Sequence, residues 1–503
     1  MVLKITGAGL ALTRAIPDAA VEPCDELSRR VDEAVGRFRG APVTPQTFLN
    51  LENELHALAT EACRQILERE ANRLEPDDKR EAPKKVRYRK ETYRINKKTP
   101  AKIATRFGVI GLRSFYYLNE EEGEPGLHPL WERLGIGVGS ATPALLERVA
   151  RLAVDHTQAE VRAWLKREHG LTWSNKRLRA ALAGFRRALA PFVPELQKAR
   201  LLRWLEEAQQ GRGGHRPVLA VGRDGIMVPM RTGGYQEAST ATLSVYDRRR
   251  RRLGTVYLGQ MPEEKQATLS RALTDLLKAT LRAWHGPLPR LAYITDKGSA
   301  PDDYYRRVLK KMTHPLDGKP LAWEWVLDFY HVCCYVGKMA DALFGPETPQ
   351  SRQWFSKMRL WLKERRQGAS QVLRSATQLL ERRKMTKAQK AEFWKAYNYL
   401  RRHRRLMDYP GYRRLGLPIG SGVTEAACKT VFTQRFKRSG MRWLHEPGQV
   451  ILDLRLSHLS GIWEEAFVAD LAARPLPEPL GDTGAVQWPS PQEAARLSPR
   501  MAA

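Results

Sequence analysis

Three carboxylates in this chain stand in contexts where an acid is costly to leave alone. Asp224 lies inside an apolar run, VGRDGIMV, and Asp296 closes another, LAYITDKG. Glu425 opens a helical stretch after a glycine-rich break, in GSGVTEAACKT. An acid within or against a strand must be paired or coordinated. Carboxylate oxygens are hard donors that suit Mg²⁺ or Mn²⁺. Two such ions held roughly 3.5–4 Å apart by shared carboxylates can activate an attacking oxygen and stabilise the leaving oxygen of a phosphodiester. The alternative for any one of the three is an unrelated surface acid. Asp247, Asp302, Asp303 and Asp328 compete for the same roles, although Asp302 and Asp303 read as first-turn residues favoured by a helix dipole.

The elements that must position these acids follow from periodicity. After the Gly-rich break QGRGGHR, the pattern changes from helical to strand-like. RPVLAVGRDGIMVPM is a strand carrying Asp224, and residues 241–261 form a hairpin with an arginine run at its turn. EEKQATLSRALTDLLKATLRAW is a helix, PRLAYITDKGSA a strand ending at Asp296, DDYYRRVLKKM a helix, and LAWEWVLDFYHVCCYVGKMADALF a strand running into a helix. Three strands, helix, strand, helix, strand predict an antiparallel meander extended in parallel through helical crossovers. The fold class expected is α/β, a mixed five-stranded sheet with helices, in the element order of an RNase H-like core. Three amphipathic, basic helices with Trp354, Trp361 and Trp394 interrupt it, and 129 residues separate Asp296 from Glu425.

The N-terminal part reads differently. Residues 1–45 are Pro-punctuated, and Pro45 to about Arg73 has the spacing of an amphipathic helix. Residues 77–114 are dense in Lys and Arg with Tyr88 and Tyr93 between them, and the alternation over 105–118 predicts a hairpin with Gly108 and Gly111 near its turn. Basic strands beside aromatics suit phosphate contact; a solvated basic face is the plain alternative. Residues 141–190 are helical, with Thr157 and Glu160 as a capping box, Gly170 as a terminator and Ser174 as a cap. Two helices joined by a short turn, the second bearing Lys176, Arg177 and Arg179, read as helix-turn-helix or as an ordinary helical hairpin. The expected organisation is an N-terminal helical region over 1–76, a basic hairpin module over 77–140, a helical DNA-binding region over 141–210, a core in two parts over 211–345 and 416–465, an α-helical insertion over 346–415, and a disordered tail over 466–503.

Composition narrows the partners. The 503 residues include 85 Lys and Arg against 55 Asp and Glu, a net charge of +30. Such a balance points to a polyanion, nucleic acid first. No window reaches ~18 uninterrupted apolar residues, so no membrane partner is expected. Five scattered cysteines without a CxxC pair fit reduced thiols in the cytoplasm and argue against a cysteine zinc site.

LDFYHVCCYV and PIGSGVTEAACKTVFTQRFKRSGMRW carry a family resemblance. Over roughly residues 85–465 the chain resembles insertion-sequence DDE transposases of the Kra group, relatives of the Mutator-like superfamily. The resemblance implies metal-dependent cleavage at transposon ends and strand transfer into target DNA. It places the first Asp on the first strand, the second on the fourth, and the Glu after a helical insertion, matching Asp224, Asp296 and Glu425. Two Mg²⁺ or Mn²⁺ ions, double-stranded DNA and a homodimer or larger assembly on DNA in the bacterial nucleoid are the implied cofactors, partner and setting. The family's Asp-x-x-His form matches Asp328 and His331, and implies that His331 orients water or contacts a phosphate; a core histidine is the alternative. Lys429, Arg435, Lys437, Arg438 and Arg442, beside Trp443, are expected to clamp the DNA backbone. Cys333 and Cys334 read as small buried residues. Relatives often carry cysteine pairs where this chain has SFYYLNEEEGEPGLHPLWERLG, so here packing must replace zinc. A DNA-binding relative without catalysis, and a nuclease that cuts without joining, are the competing functions.

Overall fold

The computed structural model describes residues 5–6, 9–10, 18–121 and 123–480. The part of the expected tail beyond 480 lies outside the described residues. The chain divides into two compact units, Met1–Phe185 with Val468–Ala503, and Arg186–Phe467.

In the first unit, the short strands β1 (Ile5–Thr6) and β2 (Gly9–Leu10) pair antiparallel. A helix, α1 (Asp18–Arg39), lies in the Pro-punctuated stretch. Glu26 with Arg29 and Arg30, and Arg29 with Glu33, form ion pairs one turn apart on its exposed surface. The expected amphipathic helix is α2 (Pro45–Arg73), capped by Thr44. Strands β3 (Lys85–Tyr88), β4 (Glu91–Thr105) and β5 (Gly108–Asn119) form an antiparallel meander. The segment from 115 to 136 is held by apolar packing: Phe115, Tyr117 and Leu127 join one cluster, and Leu130 and Ile136 another. His128 also stacks on Trp131 at 4.5 Å, in the short helix α3 (Pro129–Leu134). Helices α4 (Pro143–Asp155), α5 (Gln158–His169) and α6 (Asn175–Leu189) follow. Both capping-box hydrogen bonds between Thr157 and Glu160 form, and Gly170 ends α5 in the left-handed region at φ 62°.

The second unit begins with α7 (Val193–Gln210), whose Leu201, Leu205 and Ala208 are buried with the sheet. The helical region expected over 141–210 therefore divides, because the apolar face of this last helix is covered by strands. The sheet contains β6 (Val218–Pro229), β7 (Tyr235–Tyr246), β8 (Arg252–Gln260), β9 (Arg290–Thr295) and β10 (Trp323–Leu327), in the order β10-β9-β6-β7-β8. β6–β7 and β7–β8 are antiparallel; β6–β9 and β9–β10 are parallel. Crossovers α8 (Ala267–Ala283) and α9 (Ser299–Arg307) supply the parallel connections. The expected mixed five-stranded α/β sheet is present.

Its strands are apolar at successive positions because both faces are covered. Leu219 and Val221 join α7 and α8 on one face; Val218 and Ala220 join α10 (Phe329–Phe344) on the other. Along α8, Leu269, Leu273, Leu276, Leu277 and Leu281 are buried, each worth roughly 1.5–3 kcal/mol in apolar area removed from water. The stretch expected as an insertion holds α11 (Pro349–Glu364), α12 (Gly368–Glu381), α13 (Lys387–His403) and α14 (Tyr409–Arg414). Trp354, Met358, Leu362, Val372, Phe393 and Leu400 lie in one continuous cluster with Ile294, Val326 and Val336. The insertion thus extends the core of the sheet.

After the insertion, α15 (Gly422–Ala427) runs through a π-helical turn, Cys428–Thr433, into α16 (Gln434–Phe436). Helices α17 (His445–Leu459) and α18 (Trp463–Ala473) complete the described helices. The tail expected from 466 is ordered up to Leu480: α18 continues to Ala473, and β11 (Glu478–Leu480) pairs antiparallel with β3. Three residues with a proline at their centre carry no strand periodicity, so only an open sheet edge could recruit them.

Candidate active site

The parallel ladder of β6 and β9 ends with Gly222 opposite Ile294. Two residues further along each chain come Asp224 and Asp296. Residues two apart on a strand share a face, so Asp224 follows Gly222 on the same face of β6, and Asp296 stands just past the end of the neighbouring β9. That face is the one that carries Val218, Ala220, Ala292 and Ile294 against α10. It also receives α15. A Cβ on Gly222 would lie 1.9 Å from Thr424 Oγ1, so only glycine admits the helix at this point. Thr424 Oγ1 meets Thr242 Oγ1 of β7 at 2.9 Å, and Glu425 is the next residue. The distant glutamate thus arrives beside the aspartates through a helix seated on the bare backbone of the strand that holds Asp224.

Asp328 fixes the loop that precedes this helix. It is fully buried and caps α10, with one oxygen accepting the His331 N–H. Its other oxygen accepts the Ser421 N–H, in the glycine-rich loop before Glu425. The Asp328 N–H donates to the Thr295 carbonyl at 2.9 Å, and the Phe329 N–H to the Ile419 carbonyl at 2.9 Å. Asp328 therefore ties the residue before Asp296, through its backbone N–H, to the segment before Glu425, through its carboxylate. Tyr399 of α13 adds a second tie, its hydroxyl donating to the Asp296 carbonyl at 2.9 Å.

The charges at the site are unbalanced. Burial pushes the Asp224 carboxyl up to about 6, and the charges of Asp296 and Glu425 push it the same way. The Cys428 thiol, donating to Asp224 Oδ2 at 3.2 Å, and the Gly225 N–H, donating to Oδ1 at 2.8 Å, oppose the shift. Burial and the Asp224 charge raise the Cys428 thiol in turn, which keeps it protonated as a donor. Lys297, directly after Asp296, does not neutralise the pair. Its ammonium lies 3.8 Å from the Trp325 ring centroid and donates to Asp302 at 2.6 Å. Among the described residues no Lys, Arg or His forms an ion pair with Asp224, Asp296 or Glu425.

The donor set is two hard carboxylates, one within β6 and one just past the end of the adjacent β9, with a third acid in electrostatic reach. That chemistry fits a divalent cation, which would relieve the elevated Asp224 carboxyl. Glu425 is exposed, and one of its oxygens accepts from the Ser421 hydroxyl at 3.3 Å. Among the described residues no three His, Cys, Asp or Glu side chains converge closely enough to enclose an ion.

The other expected residues separate into exposed and structural groups. His331 is half-buried between Tyr335 and Tyr399, at ring distances of 5.3 and 5.9 Å, which places it one aromatic contact from Asp296. Lys429, Lys437, Arg438 and Arg442 are exposed. Arg435, expected on the same basic surface, is 2% exposed and stacks over Trp443 at 5.1 Å. The π-helical turn offsets the helical periodicity there. Trp443 is a packing residue: its indole N–H donates to the Phe436 carbonyl at 3.0 Å, and its backbone bonds to Pro229 and Arg231 at the end of β6. In the first unit, Lys176 and Arg179 are exposed, whereas Arg177 donates twice to the Gly139 carbonyl and covers Trp173 at 4.7 Å. Cys333 is buried as expected, but Cys334 is exposed, one residue further round α10. Sequence reasoning did not find Tyr399, Ser421, Cys428 or Lys297; only the position of Lys297 directly after Asp296 was a local signal.

The chain matches no protein-family model and no curated protein to which it was compared.

Proposed function

We propose that this chain is a DNA transposase of the DDE type, with an RNase H-like core and a helical insertion, resembling the Kra group of the Mutator-like superfamily. It would cut at transposon ends and join the freed 3′-hydroxyl to target DNA. One observation carries this reading. In a chain with a net charge of +30, Asp224 lies near enough to Asp296 and Glu425 for both to raise its carboxyl, and among the described residues none of the three takes a basic partner. Acids that serve only to balance surface charge would be paired in so basic a chain, and acids left together raise one another's energy. The strand order supports the reading, as does the arrival of Glu425 across a helical insertion.

Asp224, Asp296 and Glu425 would hold Mg²⁺ or Mn²⁺, which when bound polarises phosphate oxygens and lowers the barrier to in-line attack. The chain's own part is placement. Asp328 and Tyr399 hold the Asp296 strand end and the Glu425 loop in fixed relation. Cys428 keeps one oxygen of Asp224 turned toward α15. Lys297, drawn away to Asp302 and Trp325, leaves the acid pair free of a competing ammonium. The exposed Lys429, Lys437, Arg438 and Arg442 would hold backbone phosphates of double-stranded DNA on the Glu425 side, the protein acting as a homodimer or larger assembly in the bacterial cytoplasm. Among the described residues no helix is long and apolar enough to cross a membrane.

The test incubates purified protein and Mg²⁺ with labelled duplexes from the two flanks of its own gene, and separates nicked from joined products. Both should form. Asp224→Asn, Asp296→Asn and Glu425→Gln should each bring both to background while duplex binding stays within about threefold, since electrostatic affinity rests on the basic residues. Nicks without joining would replace the transposase with a nuclease. Wild-type cleavage by any of the variants would remove that acid from the site.

A further inference from the structure

The last turn of α13 and the residues after it hold Arg401, Arg402, Arg404 and Arg405, all exposed, around an open concavity of about 380 Å³ that Asn398 also lines. None of the four has a carboxylate partner among the described residues, although ion pairs form nearby in the same unit, as between Arg413 and Glu364. Cations at a helix C-terminus are ordinary, because they complement about half a unit of negative charge from the dipole. Four guanidinium groups exceed that need and repel one another. Crowding them around one hollow is unfavourable for the free protein unless an anion fills it.

The location is informative. Tyr399 and His403 lie one turn apart on α13 and face the acid-bearing strand end: Tyr399 donates to the Asp296 carbonyl, and the His403 ring feels the charges of Lys297 and Asp302. Asn398 and Arg402 lie one turn apart on the same helix, and Arg404 and Arg405 open the 3-10 turn that follows it. The hollow therefore lies on the same stretch of chain as the tie to Asp296, Asn398 being next to Tyr399 and Arg402 next to His403. Guanidinium forks match phosphate oxygens bidentately, and successive phosphodiesters would bridge cations that otherwise repel.

We infer that Arg401, Arg402, Arg404 and Arg405 form a phosphate subsite for the backbone of the DNA strand on the Asp296 side of the bond to be cut. The inference rests on the nucleic-acid reading of the acid site and gives the α-helical insertion a defined contact with DNA.

The experiment uses the full chain with all four arginines changed to Gln, beside a control of equal charge loss elsewhere between residues 346 and 415, Arg352→Gln, Arg374→Gln, Lys384→Gln and Lys390→Gln, all exposed positions. Flank duplexes are titrated from low to high salt, with single methylphosphonates scanned across the cleaved strand. The arginine variant should bind at least roughly tenfold more weakly at moderate salt, with a salt slope shallower by roughly two to four. Wild-type binding should weaken at a short run of neutral linkages on one side of the cut, and the variant should lose that sensitivity; the control should keep both properties. Unchanged thermal midpoints show that all variants fold. An arginine variant that behaves like the control, or a wild type that does not bind DNA, overturns the subsite. Loss of slope and interference in a protein that never cleaves would leave the subsite standing and defeat the catalytic reading instead.

Discussion

Asp224 shows how a single side chain is tuned by what surrounds it. Desolvation and two neighbouring acids raise its carboxyl, while one thiol and one amide hold it down. A second raised acid, Glu75, lies in the other unit and has no catalytic surroundings. It is 5% exposed, its Oε2 accepts the Phe115 N–H of β5 at 2.6 Å, and burial pushes it up to about 7 against the weaker pull of Lys98. Between about pH 4.5 and 7 the folded chain keeps this proton and the unfolded chain has lost it, so this group's contribution to stability falls as pH rises through that window and levels off above it. At about 1.4 kcal/mol per unit, the loss amounts to up to roughly 3 kcal/mol. Glu75→Gln keeps an acceptor for Phe115 and carries no charge. Its thermal midpoint relative to wild type should be near or below zero at pH 5 and clearly positive at pH 8. A difference that does not change across this range would show that Glu75 titrates normally.

At the scale of elements, the seating of α15 on β6 is the joint on which the candidate site depends. It needs a residue without a side chain at 222 and a small hydroxyl at 424. Gly222→Ala places a Cβ against Thr424 Oγ1 and 3.0 Å from Thr242 Oγ1, in a layer with no slack. Overpacking of this kind costs about 1–3 kcal/mol, and the helix that carries Glu425 must absorb the shift. Urea denaturation should show that loss together with a large drop in cleavage. Adding Thr424→Ala removes the nearest atom and should recover part of both, although it sacrifices the hydrogen bond to Thr242. A Gly222→Ala protein with wild-type stability and cleavage would mean that α15 docks elsewhere.

At the scale of the molecule, the insertion and the sheet share one apolar cluster through α10. The helical block looks excisable in the sequence, as a packed subdomain between two halves of a core. In the structure, replacing residues 346–408 by a short Gly/Ser linker would strip Trp354, Met358, Leu362, Phe393 and Leu400 from the same core that covers Ile294 and Val326. The deletion protein should therefore aggregate or bind a hydrophobic dye, as exposed contiguous apolar surface does. A soluble monomer with cooperative unfolding, by gel filtration and circular dichroism, would show that the sheet stands alone. The deletion would also remove Tyr399, so the Asp296 strand end would lose its tie.

The sequence by itself determined the elements and the cast of acids. Alternation, unbroken apolar runs, the Thr157–Glu160 capping box and Gly170 depend on residues a few positions apart, and such signals survive whatever the chain does elsewhere. The strand–helix order was legible for the same reason, as were Asp224, Asp296 and Glu425 as odd acids in apolar or glycine-rich settings. Only the tertiary structure decided how they combine. That Asp224 and Asp296 come near each other depends on the pairing of strands about 70 residues apart in the chain, and no local pattern encodes it. The diversion of Lys297 to Asp302, the clamp from Asp328 to Ser421, the burial of Arg435 and the capture of Arg177 by Gly139 are matters of which group lies nearest in space. A charged residue reads the same in sequence whether it meets solvent, a carbonyl or a ring; its surroundings assign the role, and those are set by long-range packing.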